Sequence, residues 1–146
     1  MASAQKSTST GFSAEERAAM KAAAAERKAS QRQDDLDKAL ADAIAKLPAD
    51  ERKIAKEIDT IVREHAPMLT SKTYYGMPGW ALDGKVCVFM SPASKFKTRY
   101  CTIGFEGVAN LDDGDMWPTS FAILTIGPAE KNKITALVKR AVSEKS

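Results

Sequence analysis

The chain has 146 residues, a net charge of +3 at pH 7, 44% hydrophobic and 28% charged side chains. That suits one modest domain and is too apolar for a disordered chain, while so small a surplus of cations argues against nucleic-acid binding, which needs a dense basic face. No run of about 20 apolar residues could span a membrane and residues 1–12 lack the apolar centre of a signal peptide, so a cytoplasmic location is expected, with Cys87 and Cys101 as free thiols.

Residues 1–11 are small, polar and aperiodic and read as a disordered tail. Ser13-Ala14-Glu15-Glu16 has the form of a capping box. It opens an alanine-rich helix to about Ala29 whose only sizeable apolar residue is Met20, so its propensity is high but it has little to bury. Ser30 to Gln33 weakens the pattern. Asp34 or Asp35 then caps a second helix that carries Leu36, Leu40, Ala43, Ile44 and Leu47 at helical spacing. A single helix over 13–47 would be roughly 50 Å long, wider than so small a domain. A break near residue 31 is therefore expected, with residues 12–33 as a helical extension and 34–146 as the folded domain. A third helix over Asp50–His65 has the stripe Ile54, Ile58, Ile61 and Val62 and ends before Pro67.

From Ser71 the period changes to that of strands. Lys72–Tyr75 reads as extended, Gly76-Met77-Pro78 as an interruption, and Gly79–Leu82 pairs back through Asp83-Gly84 to Lys85–Met90, because a two-residue Asp-Gly loop between apolar runs signals a type I′ hairpin. Further strands are expected over Lys97–Phe105 and, as a buried type, over Phe121–Ile126. Gly127-Pro128 starts a last helix with Ile134, Leu137, Val138, Ala141 and Val142 on one face. Helices, then short antiparallel strands, then a helix make an α+β two-layer sandwich: a sheet of four to six strands covered on one face by the N- and C-terminal helices, with an extra N-terminal helix.

Tyr75-Gly76-Met77-Pro78, followed by Trp80 and by Leu82-Asp83-Gly84-Lys85, resembles the pattern of the YdhG-like family of small bacterial proteins over roughly residues 34–143. The resemblance implies a compact frataxin-like helix–sheet–helix domain. It also implies one candidate role, that of an intracellular iron chaperone donating iron to haem or iron–sulfur assembly.

The residues themselves point first to a binding site. Tyr75, Met77, Pro78, Trp80 and Trp117 mix rings with rigid Pro turns, and Lys95, Lys97 and Arg99 alternate, so on a strand they would share a face. Trp80 and Trp117 would stack on a planar body, Tyr75 would offer a hydroxyl, and Lys97 and Arg99 would hold an anion. For a metal, Asp50, Glu57 and Glu64 fall seven apart on the third helix, and hard cations such as iron take oxygen ligands. Asp112, Asp113 and Asp115 suit turn chemistry better than a calcium loop. Cys87 and Cys101 each fall in an apolar strand and read as core residues, Cys101, two residues from Arg99, being the more reactive of the two, and the sole histidine, His65, sits where a helix C-terminus favours a cation. No nucleotide-binding loop, dinucleotide fingerprint or nucleophile elbow is present. The expectation is a non-catalytic module for a small anionic or planar ligand, with no cofactor beyond weakly bound iron. A protein-interaction module working through the N-terminal helices is a further alternative.

Overall fold

The computed structural model describes residues 13–144, so the tail expected over residues 1–11 lies outside the described residues. The elements are α1 (Ala14–Ala45), α2 (Ala49–His65), β1 (Thr70–Tyr74), β2 (Met77–Leu82), β3 (Lys85–Ser91), α3 (Ala93–Phe96), β4 (Cys101–Phe105), β5 (Ser120–Ile123) and α4 (Pro128–Ala141). The strands form one open antiparallel sheet in the order β1-β2-β3-β4-β5. The α+β class is as the patterning implied.

The chain divides into two compact units between Asp35 and Leu36. In the first, the capping box forms: Glu16 N–H donates to Ser13 Oγ (3.1 Å) and Ser13 N–H donates to Glu16 Oε1 (2.8 Å). The Ser13 backbone N–H holds the Glu16 carboxyl below its ordinary range. The break expected near residue 31 is not there; α1 is continuous from Ala14 to Ala45. No Gly or Pro lies between Ser13 and Leu47 to stop it, and Gln31 Nε2 bonds Asp35 Oδ1 one turn on (3.1 Å) across the weak stretch. The only buried residues of α1 are Leu40 and Ile44, both in the second unit.

In the second unit, Leu40 and Ile44 join Ile54, Ile58 and Val62 of α2 and Ile134 and Val138 of α4 in a core against one sheet face. Glu57 of α2 and Lys131 of α4 form an ion pair at 2.5 Å. The register sorts the faces, because directly paired residues point the same way. Ser71, Trp80, Val88 and Phe105 form one row across β1 to β4 on the helix side. Lys72, Gly79, Phe89, Gly104 and Ser120 form a row across all five strands on the other side. There the Phe89 ring lies over Gly104, so close that a Cβ on Gly104 would fall 2.2 Å from Cζ. Between Trp80 and Ala81 the register slips by one residue, leaving Cys87 as a bulge on β3 whose carbonyl accepts from Glu106 N–H (3.0 Å).

Both hairpins have two-residue loops with positive φ throughout. Asp83 (49°) and Gly84 (83°) form the expected one. The other is Tyr75 (51°) and Gly76 (80°), closed by the Tyr74–Met77 pair. Met77 and Pro78 are therefore strand residues, not a turn aiming Trp80. Pro78 is tolerated because the β2–β3 ladder starts at Gly79, so no partner there needs its missing N–H.

Candidate functional site

The sheet end reached by the Tyr75-Gly76 hairpin is crossed by the segment joining β3 to β4. This was expected to be strand from Lys97, but strand begins only at Cys101. Pro92 sets the N-cap of α3, and Glu51 of α2 takes both Ser94 N–H (3.1 Å) and Ser94 Oγ–H (2.6 Å), which fixes a helical turn. Lys97 ends it in the left-handed region (φ 54°). Lys95, Lys97 and Arg99 consequently do not share a strand face. Lys95 Nζ donates to the Tyr75 carbonyl (2.6 Å) and lies 5.6 Å from the Phe96 ring centre, while Arg99 packs 5.3 Å from the centre of Tyr100.

The expected ring-and-cation hollow is not assembled. Trp80 is 1% exposed, Met77 and Pro78 are also buried, and Trp80 Nε1–H donates to Asp59 Oδ1 (3.0 Å), whose other oxygen takes Arg63 Nε–H (2.9 Å). A large indole on the helix-facing row of a central strand is core, and its one donor needs a partner there. Tyr75 is 80% exposed at the hairpin tip, edge-on to Tyr74 with centroids 4.7 Å apart. Trp117 is half-buried and lines a separate cavity of about 510 Å³ with Phe105, Leu111 and Thr119. Of the eight residues expected there, only Arg99 lines the cavity beside β5.

That cavity, about 950 Å³, lies between β5 and α4. Its apolar walls come from Ile103, Phe121, Ile134 and Leu137, and its cations are Arg99 and Lys133. Glu130, also on its border, is already engaged: its Oε1 accepts Gly127 N–H (2.8 Å) at the start of α4. The volume is in the range of small-molecule pockets. An apolar interior with two cations and an occupied carboxylate favours a ligand with an apolar body and an anionic group. The apolar run of residues 121–126 supplies this wall, although by itself it has the pattern of a buried strand. In the fold β5 is an edge, and Ala122 and Leu124 are exposed.

The metal candidates are not gathered either. Asp50 is exposed, Glu57 is held by Lys131, and Glu64 lies 3.8 Å from His65. No group of three or more His, Cys, Asp or Glu that could hold a metal ion occurs among the described residues. Cys87 and Cys101 are both buried, as their apolar strands implied; Cys101 is 3% exposed, and burial raises its thiol pKa where Arg99 was expected to lower it. Burial pushes Cys87 up to about 11. Among the described residues no helix is long and apolar enough to cross a membrane.

Compared with known proteins, the chain matches no family model, no curated protein and no solved structure.

Proposed function

We propose that this protein is a binding module for a small amphipathic anion, held in the groove between β5 and α4. The ligand's apolar or planar body packs on Phe121, Ile134 and Leu137, and its carboxylate, sulfonate or phosphate meets Arg99, with Lys133 as the second cation. The observation that carries this is the composition of the 950 Å³ cavity: apolar walls, two cations, and a carboxylate already engaged in capping α4. Arg99 presents a planar donor fork suited to a carboxylate or phosphate, and its packing on Tyr100 limits the freedom it loses on binding. We retain the YdhG-like resemblance as part of this proposal; it bears on ancestry and not on the chemistry of the groove.

The test uses octanoate and anilinonaphthalene sulfonate as probes. A ligand that binds only the native state at a hundred times its dissociation constant adds about 2.7 kcal/mol of stability. Both probes should raise the melting temperature of the wild type. Arg99→Ala should weaken both about tenfold or more, as expected for a charge-assisted hydrogen bond of about 1.5–3 kcal/mol, and Leu137→Asn should abolish dye fluorescence enhancement. Absence of any shift with either probe, or equal binding to Arg99→Ala, would overturn the proposal.

A further inference from the structure

Apart from its short length of four residues, the outer edge of β5 lacks the protection that sheet edges carry. Residues 116–129 contain no charged side chain, and β5 has neither a proline nor a slip in its register against β4. The opposite edge strand, β1, does carry such a residue in Lys72. An uncharged edge rich in Phe, Ile, Leu and Thr is a template for another strand unless something covers it.

The hydrogen-bond register identifies which groups are on offer. Phe105 N–H donates to Thr119 C=O (2.8 Å), which makes Phe105 and Thr119 a bonded pair in line with Ile103–Phe121 and Cys101–Ile123. Bonded and non-bonded pairs alternate in an antiparallel ladder. The N–H and C=O of Ser120, Ala122 and Leu124 therefore point away from β4, and these three residues are exposed, Leu124 at 62%.

We propose that a second copy of this chain pairs with this edge, β5 against β5 in antiparallel orientation about a two-fold axis at Ala122, giving a continuous sheet through both protomers. The segment is self-complementary in that register. Ala122 meets its own counterpart, where a small side chain avoids a clash on the axis, and Ser120 faces Leu124 of the other copy. Phe121 faces Ile123 on the helix side, where a non-bonded pair brings side chains close. No charge on either strand is desolvated, and a net charge of +3 per chain adds little repulsion between copies. The inference goes beyond the ligand proposal and does not depend on it, although the added strand would run along the open side of the same groove.

Sedimentation equilibrium of the full chain without ligand reads the outcome. The wild type should sediment at twice its 15.8 kDa mass. Ala122→Pro removes an N–H that the β4 ladder does not use, and Leu124→Lys places a charge on the edge. Both variants should be monomeric with an unchanged far-ultraviolet spectrum. Ala122→Cys should form an interchain disulfide under mild oxidation, since Cα atoms of a directly bonded pair lie about 5.5 Å apart. A monomeric wild type overturns the proposal, including one that takes up a foreign strand peptide. So does a dimer that persists in folded Ala122→Pro and Leu124→Lys. Loss of probe binding with dimerisation intact would remove only the ligand proposal.

Discussion

Gly104→Ala offers the sharpest check on how the solvent-side sheet face is built. A Cβ at this position would lie 2.2, 2.4 and 2.9 Å from Cζ, Cε1 and Cε2 of Phe89, against the 3.5–4.0 Å at which carbon atoms pack. The ring must therefore move by more than about 1 Å, away from its tilted contact with Tyr74 (centroids 5.1 Å apart). Overpacking of this kind costs about 1–3 kcal/mol. Replacing glycine also restricts the unfolded chain, which returns about 0.4–1 kcal/mol. The net expectation is a loss of about 1–2 kcal/mol. In a Phe89→Ala background the obstacle is gone, and the same substitution should become neutral or stabilising by a few tenths of a kcal/mol. Urea unfolding of the wild type, both single variants and the double variant gives the coupling, provided the slope of each transition is unchanged. An equal loss in both backgrounds would show that Phe89 does not cover Gly104, and the cross-strand row drawn through Gly79, Phe89 and Gly104 would be wrong.

Asp59→Ala should cost about 1–3 kcal/mol, because it strands the buried Trp80 N–H; Asp59→Asn should recover most of that, since the Arg63 ion pair it loses is largely solvent-exposed and contributes under about 1 kcal/mol. Thermal melts and the wavelength of tryptophan emission report both. At the β1–β2 hairpin, Tyr75→Asn and Tyr75→Ala lose the same ring contact, but only asparagine is at ease in the left-handed region, so the Asn variant should be more stable by about 1 kcal/mol in chemical denaturation; equal stabilities would refute the strain assigned to Tyr75. For the thiols, neither Cys87 nor Cys101 should react with a disulfide reagent at pH 8 until denaturant is added. In the unfolded chain a thiol ionises near its ordinary value of 9, whereas native Cys87 holds its proton to about 11. That contribution to stability is present below pH 9 and declines as pH rises from 9 towards 11. Cys87→Ala should show a shallower alkaline decline.

Local patterns carried much of the architecture. The Ser13–Glu16 cap, the stripe on Asp50–His65, the Asp83-Gly84 hairpin and the Pro128 helix start each rest on contacts within a few residues, and each appears in the fold. The cavity between β5 and α4 did not follow from such patterns. Trp80 and Phe121 are both apolar residues in strand-like runs, and nothing within either run tells a central strand from an edge. Strand order decides that, burying Trp80 against Asp59 and leaving the β5 edge open beside α4. Lys95, Lys97 and Arg99 show the same division: their spacing suited a strand face, but Glu51, more than 40 positions earlier, captures Ser94 and turns the segment into a helical corner. Short-range propensity and hydrophobic period set which elements exist, because their energies come from neighbours in the chain. The sheet's strand order and contacts across the core set which side chains face a cavity, because those energies come from residues far apart in the chain.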